Sequence, residues 1–491
     1  MTGSFGCMIY PNLRRQGSIR PPIAMLGVPF DNVTLGEAVQ MVEGMVVSGR
    51  PHYLVTPNVD FLIQARRDVE LRRILMDADL VLCDGMPLVW ASRMLGNPLP
   101  ERVAGADLVP MLIRMAAEKN YRMFLLGGTV NSTAQAVARL QAEYPNLQVA
   151  GYSPPFGQLL AMDHDGIKSR IQEFQPHLLF VSFGCPKQEK WLAMHHQSLG
   201  VPVCAGVGGT IDFLAGQLKR APVWMQRIGT EWLFRLAQEP RRLFRRYVED
   251  FAVFGRAMLA QWWQLRPRWE EATKPSRSLG QMERWTSINP GERLDLATAC
   301  DAELSPDRLA RDERPCVVAL SGVRSVDSAG AAWLMRLNRA CRATERQLIL
   351  LAPSRAAIRA LRLLRLEHFF AVAPDVASAW ALIEARSRER AAAVEADFET
   401  PAVLLWQGEI TAANAENVWR LTEAQITEAP AFCQMVIDLS RVRFIDSSGL
   451  SLMGRARNLA RSHGLQMDFT GAQPPVRNVL RLAGMNNLVW E

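Results

Sequence analysis

Five apolar runs between residues 52 and 209 constrain this chain most: HYLVTPN, ADLVLCDG, YRMFLLGG, HLLFVSFG and VPVCAGVGG. Each is continuously apolar, which fits a strand covered on both faces in a parallel α/β sheet. Most end in Gly, Pro or Asn, and a helical pattern follows, so the segment reads as repeated βα units. Parallel strands bring their carboxyl ends to one edge, where ligands of α/β folds bind. That edge gathers Thr56, Pro57 and Asn58, then Asp84 and Gly85, Gly127 to Thr129, Gly184 to Gln188, and Gly206 to Gly209. Asp84 has two readings at this point. Asp-Gly is a common turn pair, and a carboxylate at a strand end is also placed for chemistry. The glycines either make turns or let backbone N–H groups approach a diphosphate. Neither glycine pair forms a Walker loop or GxGxxG.

At 491 residues the chain suggests about three domains. Apolar content of 49% with 21% charged residues fits a soluble globular protein. The eight cysteines lack CxxC pairs or regular spacing and read as reduced cytoplasmic thiols, with no disulfide framework or zinc site. The first residues contain no apolar signal-peptide core, and no stretch is long and apolar enough to span a bilayer. Membrane contact is therefore expected to be peripheral.

Residues 1–22 read as a tail, and 23–220 as the α/β core. Residues 221–268 are helical, aromatic and basic, and 269–284 read as a linker. Two similar segments follow, 285–388 and 400–491, joined by 389–399. Each runs strand, Asp-Ser-x-Gly, helix, strand, which makes an internal repeat.

The ordered motifs TPNVDFLIQARRD, ADLVLCDGMPLVW, RVAGADL, FLLGG, FVSFGCPKQEKW, GVGGTIDFLAGQLKRAP and IGTEWLFRLAQEPRRLFRRY resemble the WecG/TagA/CpsF glycosyltransferases over about residues 25–250. The resemblance implies a Rossmann-like, mostly parallel domain whose helical C-terminal appendage completes the site at the membrane. It also implies metal-independent, inverting transfer from a UDP-sugar to a polyprenyl-diphosphate-linked sugar. On it, Asp84 corresponds to the general base, Thr56 and Asn58 to acceptor contacts, and Arg102 and Gln188 to pocket residues. Gly127, Gly128, Gly208 and Gly209 are the glycines expected at the substrate, and Arg220, Arg227 and Arg235 the arginines for the diphosphates.

The chemistry agrees with that assignment. An acceptor hydroxyl must lose its proton as it attacks, and a placed carboxylate accelerates this by ~10²–10⁴-fold. The leaving UDP is already a stable anion, so a second carboxyl group is not obligatory, in contrast to glycoside hydrolysis. Asp107, in GADLVPML, reads as a helix cap. The acid pairs Asp77–Asp79 and Asp163–Asp165 do not follow a strand as a metal-binding pair should. No metal and no cofactor are expected; arginines and backbone amides would hold the diphosphate.

Between Arg220 and Arg246 lie seven arginines against two glutamates, interleaved with Trp224, Trp232, Phe234 and Phe244. A membrane-surface helix uses both cations and aromatics. Ordinary packing and a nucleic-acid surface are the competing readings, the latter without a reader motif.

The second repeat, VIDLSRVRFIDSSGLSLMGRARNLA, resembles STAS domains. That resemblance marks Ser448 as the residue phosphorylated in regulatory members, whereas Asp446 and Ser447 are good N-cap residues in their own right. A phosphate at Ser448 would sit in the first helical turn. The first repeat, VRSVDSAGAAWLMRL, resembles a diverged copy: it keeps Asp327, Ser328 and Gly330 but has Ala329 at the switch position. Ser328 then reads as a cap and the copy as structural or protein-binding.

The expected protein is thus a cytoplasmic glycosyltransferase of glycan assembly, peripheral on the inner membrane face. Its STAS pair would serve regulation or bind a partner protein or kinase. The competing function is a non-catalytic scaffold acting through the STAS domains. Release of UDP with a lipid acceptor separates the two.

Overall fold

The structure, a computed structural model, describes residues 20–217, 221–222, 225, 231–238, 240–265, 278–281, 285–309, 312, 314–344, 346–389, 394–397, 402–429, 434–485 and 489–490. It opens with a buried antiparallel hairpin, β1 (Ile23–Met25) and β2 (Val28–Phe30), too short to register as a sequence pattern. Helix α1 (Leu35–Ser48), started by a Thr34–Glu37 capping box, leads to β3 (His52–Val55). Helices α2 (Val59–Ala65) and α3 (Val69–Asp77) precede β4 (Leu80–Val81). Then come α4 (Met86–Met94), α5 (Gly105–Lys119), β5 (Met123–Gly127), α6 (Val130–Glu143) and β6 (Val149–Tyr152). The series ends with α7 (His164–Phe174), β7 (Leu178–Ser182), α8 (Lys187–His195), β8 (Val203–Gly206) and the short α9 (Thr210–Leu214).

The six strands from β3 to β8 form one sheet in the order β4-β3-β8-β7-β5-β6, and every pair is parallel. Five are the apolar runs read from the sequence. Edge strand β6 is only partly buried and therefore carries no such run. Because side chains alternate along a strand, each run feeds two cores. Leu125, Leu178, Phe180 and Ala205 pack with α1, α5 and α6, while Leu126, Leu179, Val181 and Cys204 pack with α2, α3 and α8.

Helices α10 (Glu231–Gln238) and α11 (Pro240–Leu265) form the appendage. Phe254, Met258, Gln261 and Leu265 are buried on the inner side of α11, whereas Phe244, Val248, Leu259 and Trp263 are exposed. Among the described residues no helix is long and apolar enough to cross a membrane.

The two repeats have matching sheets. The first contains β9 (Ser278–Gln281), β10 (Thr286–Asn289), β11 (Arg293–Leu294), β12 (Cys316–Ala319), β13 (Ser325–Val326), β14 (Leu348–Leu351) and β15 (Ala371–Ala373). Its main helices are α12 (Ser328–Ala343), α13 (Arg355–Leu363) and α14 (Val376–Glu389). The second contains β16 (Val394–Asp397), β17 (Ala402–Ile410), α15 (Ala415–Glu428), β18 (Gln434–Ile445), α16 (Ser447–Ser462), β19 (Gln466–Thr470), α17 (Pro474–Leu482) and β20 (Val489–Trp490). The strand orders β9-β10-β12-β14-β15 and β16-β17-β18-β19-β20 correspond one to one. In each, only the first pairing is antiparallel. This corrects both linker readings. β9 lies within 269–284 and β16 within 389–399, so each repeat begins inside a segment too polar to have been read as a strand.

The Asp-Ser-x-Gly starts of α12 and α16 are built alike. Asp327 Oδ1 accepts N–H bonds from Ala329 (2.9 Å) and Gly330 (2.8 Å), and Asp446 Oδ1 accepts them from Ser448 (2.8 Å) and Gly449 (3.1 Å). The aspartates are therefore the caps, and Ser328 and Ser447 are the first helical residues, which corrects the capping role read for both serines. Gly330 is required by close approach, because a side chain there would run into the Leu294 carbonyl.

Candidate active site

The carboxyl ends of β3, β4, β5, β7 and β8 form the expected edge. Asp84 follows β4, its backbone N–H bonded to the Pro57 carbonyl at 3.1 Å, while Cys83 O accepts from Val103 N at 2.8 Å. Two neighbouring strand ends and the loop before α5 thus fix the backbone that carries the Asp84 carboxylate. Asp84 is half-buried, and Gly85 starts α4 directly after it. Burial and the Asp84 charge both push the adjacent Cys83 thiol well above the usual range, so Cys83 stays neutral.

Arg102 lies close enough to this acid for the two charges to interact. Burial alone would lower its pKa, but a bond to Glu231 and the charges of Asp84 and Asp107 raise it. Its guanidinium contacts Asp107 at 2.7 Å and Glu231 at 2.7 Å. Asp107 is consequently not the cap of α5, which starts at Ala104 without a side-chain cap; it is an arginine partner in the first turn. Glu231, read only as part of a basic segment, is buried and ties α10 to the core. One of two glutamates among seven arginines gives no signal of that role.

Thr56 is buried, and a side chain placed on Gly105 would lie 3.4 Å from Thr56 Oγ1 and 3.9 Å from Thr210 Oγ1, so the three positions converge. Asn58 caps α2, with Oδ1 accepting from Phe61 N at 3.2 Å.

The glycines divide into two groups. Gly127 and Gly128 have φ values of 102° and 72°, and a side chain on either would meet close neighbours, the Ser182 carbonyl for Gly127 and Ser132 Oγ for Gly128. The Gly128 N–H already bonds to Ser182 O at 3.0 Å, and hydroxyls of Thr133 and Ser153 bond to the Gly127 and Gly128 carbonyls. That pair is used in close packing, which corrects the expectation that Gly128 presents its N–H to a diphosphate. Gly184, Gly208 and Gly209 have open space where a side chain would stand. They form the accessible part of the edge.

Gln188 braces that part. Its Oε1 accepts from Gly184 N and Gly208 N, each at 3.2 Å, and its Nε2 donates to Glu189 Oε1 at 2.7 Å. Gln188 is 2% exposed, so it holds two glycine loops together. Glu189, which the sequence reading passed over, is 1% exposed, and Oε2 has no partner of hydrogen-bond geometry among the described residues. Burial pushes its carboxyl up to about 7.

Arg220 and Arg227 lie outside the described residues. Arg235 lies on α10, with its side chain outside the description. No cluster of three or more metal-ligating side chains occurs among the described residues. Asp77 and Asp79 face the first repeat. Asp77 pairs with Arg342 at 2.8 Å and Asp79 with Arg339. Ser448 is 8% exposed, and its hydroxyl is buried without a hydrogen-bond partner among the described residues.

The sequence model of the Glycosyl transferase WecG/TagA/CpsF family matches residues 23–268, half of the chain. The chain belongs to that glycosyltransferase family. A STAS-domain model (Mlab, STAS domain) matches residues 292–374 and 392–490 of this WecG/TagA/CpsF glycosyltransferase. Among its relatives is the N-acetylglucosaminyldiphosphoundecaprenol N-acetyl-beta-D-mannosaminyltransferase of Bacillus subtilis (strain 168). The two are 31% identical over 216 residues, 44% of this chain and 83% of the relative. The enzyme of the same name from Staphylococcus aureus (strain MW2) is 30% identical over 228 residues, 45% of this chain and 87% of the relative. A solved structure, the anti-sigma factor antagonist SpoIIAA in its unphosphorylated form, is 19% identical and covers 20% of this chain and 86% of its own, with a TM-score of 0.18. The fold of the repeats therefore rests on their own strand order and on the STAS match.

Proposed function

We propose that this glycosyltransferase moves an N-acetylhexosamine or related hexose from a UDP-sugar to a polyprenyl-diphosphate-linked sugar, with inversion and without a metal ion. Asp84 is the base. The observation that carries this reading is its position: a half-buried carboxylate at a strand end, in the field of Arg102, on an edge where Gly184, Gly208 and Gly209 leave open space. Asp84 accepts the acceptor's proton as the new glycosidic bond forms, and the UDP anion leaves. Thr56 and Asn58 lie on the acceptor side. Gly208 and Gly209 line the donor side, with Gly127 and Gly128 behind it. Arg220, Arg227 and Arg235 neutralise the departing diphosphate.

The names of the relatives make N-acetylmannosamine the first sugar to test and diphosphate-linked N-acetylglucosamine the first acceptor. A β product from an α-linked nucleotide sugar requires a single displacement, which supports inversion. The exposed stripe on α11 supports attachment to the inner face of the cytoplasmic membrane. For the STAS pair we propose regulation, with Ser448 as the modified residue. Its buried hydroxyl means that a kinase reaches it only after that face opens.

The deciding experiment is release of UDP from a panel of UDP-sugars with a lipid-diphosphate-linked N-acetylglucosamine acceptor. Transfer that survives chelation and is abolished in Asp84→Asn is expected. Full activity of Asp84→Asn, or activity restored only by a divalent ion, overturns the mechanism.

A further inference from the structure

Both Asp-Ser-x-Gly helix starts are in contact with the transferase domain. In the second repeat the Ser447 N–H donates to Glu70 Oε1 on α3 at 2.5 Å, and Glu409 pairs with Arg73 of the same helix at 2.5 Å. Arg73 also stacks over the Phe444 ring, 4.3 Å from its centre. In the first repeat Ser328 Oγ accepts from Gln261 Nε2 of α11 at 3.0 Å. The same Gln261 bonds to Ala24 O at 2.7 Å and takes the Leu26 N–H at 2.8 Å, so hairpin β1–β2, helix α11 and helix α12 meet at one buried amide. Along α12, Arg336, Arg339 and Arg342 recur every third residue and pair with Asp31, Asp79 and Asp77.

We propose that the tandem repeats form an intrachain clamp: their Asp-Ser-x-Gly faces take the chain's own transferase domain as partner, and their seating holds the active-site edge in place. The charges are complementary, three arginines of α12 against three aspartates of the transferase, with the signs exchanged in the second repeat, where Glu409 meets Arg73. Complementarity of this kind selects a partner and fixes its register.

Two routes lead from the seat to the site. The first runs through Glu70. Its Oε2 lies 2.8 Å from Lys190 Nζ, which also contacts Asp68 at 2.8 Å. Lys190 is on α8, two residues from Gln188, the side chain that bridges the Gly184 and Gly208 loops. Glu70 is 2% exposed. Unseating the second repeat would take the Ser447 N–H from Glu70 and Glu409 from Arg73; Lys190 still compensates Glu70 and Asp77 still compensates Arg73, so what is lost is the position that the repeat imposes on these side chains. Glu70 is thus a positioning residue. The second route runs through α11. Gln261 fixes the far end of the appendage to the first repeat, and Glu231 fixes its near end to Arg102 beside Asp84.

The test uses the full chain and two substrate-free readouts, so it stands apart from the proposed transfer reaction. The variants are Arg336→Glu/Arg339→Glu/Arg342→Glu, the single changes Arg342→Glu and Asp77→Arg, and the exchanged pair carrying both. Circular dichroism melts confirm that each folds. Small-angle X-ray scattering reads seating, and hydrogen exchange at the Gly184 and Gly208 amides reads the edge. The triple reversal is expected to enlarge the radius of gyration and to speed exchange at both glycines by ~10-fold or more, as local opening would. The exchanged pair is expected to be more compact and better protected than either single change. A triple variant that stays compact overturns the clamp, and one that opens while Gly184 and Gly208 keep their protection overturns its link to the site. Failure of every donor in the UDP-release assay leaves these readouts decisive on the clamp and counts only against the transfer reading.

Discussion

Two carboxyl groups on the active-site edge, Asp84 and Glu189, differ in what surrounds them. Asp84 is half-buried and faces a permanent cation. Glu189 is enclosed, and burial lifts it to about 7. Asp84→Asn should therefore lose transfer by at least ~10²-fold while keeping its melting temperature, measured as initial rates of UDP release alongside a thermal melt. The sign for Glu189 is opposite to that of a salt-bridged acid. Its folded pKa lies above the ordinary glutamate value of 4.5, so the folded state holds the proton longer and stability falls as pH rises from 4.5 to about 7. Glu189→Gln should stabilise the protein above pH 7, by up to roughly 3 kcal/mol, with the gain vanishing below about pH 4.5 in urea melts. Asp84 was legible because a strand end followed by Gly is a local pattern. Glu189 was not: in GCPKQEKW it looks like one more solvated charge at a helix start, and only the covering loops make it buried.

Among the elements, α11 carries the clearest unused surface. At about 100° per residue, Phe244, Val248, Leu259 and Trp263 fall within roughly a 100° arc, and all four are exposed. Such a stripe beside arginines suits a headgroup boundary. Phe244→Glu/Trp263→Glu should reduce co-sedimentation with anionic vesicles by about 10-fold or more, as expected when interfacial aromatics are lost. Activity toward a short-chain, water-soluble acceptor should remain. High salt should weaken wild-type binding, since part of the attraction is electrostatic. The aromatic and basic composition of this segment could be read directly, whereas the β1–β2 hairpin, β6, β9 and β16 could not. IAM, VPF and VAGY are too short or too mixed for a periodic signal, and SLGQ and VEAD are edge strands with little apolar content. Asp77 and Asp79 illustrate a further limit. Their arginine partners lie some 260 residues away, beyond any local pattern.

At the level of the whole molecule, the repeat was visible in sequence because Asp-Ser-x-Gly recurs between matching strands. The docking was not, because its ion pairs join residues hundreds of positions apart. These pairs also give the assembly an acid limit. Burial alone would raise Asp79 and Glu409, but Arg339 and His52 hold Asp79, and Arg73 and Arg342 hold Glu409, at about 2. Both lie below the ordinary values of 3.8 for aspartate and 4.5 for glutamate, so their contribution is present above those values and is lost as pH falls toward 2. Asp327 and Asp446 oppose this at milder pH, since burial lifts each to about 6 and protonation between 6 and 3.8 favours the folded state. Scattering across pH 2–8 should show a seated chain down to about pH 4 and opening below it, with urea stability greatest on the mildly acidic side of neutrality.

The bond from Ser447 N–H to Glu70 joins two parts of a single polypeptide. A tethered ligand acts at an effective concentration of the order of millimolar. A free protein seeking the same helix start competes against that local supply and not against empty solvent, so micromolar affinity at micromolar abundance displaces little of it. Any outside signal that reaches this surface gains access chiefly by weakening the tethered contact first.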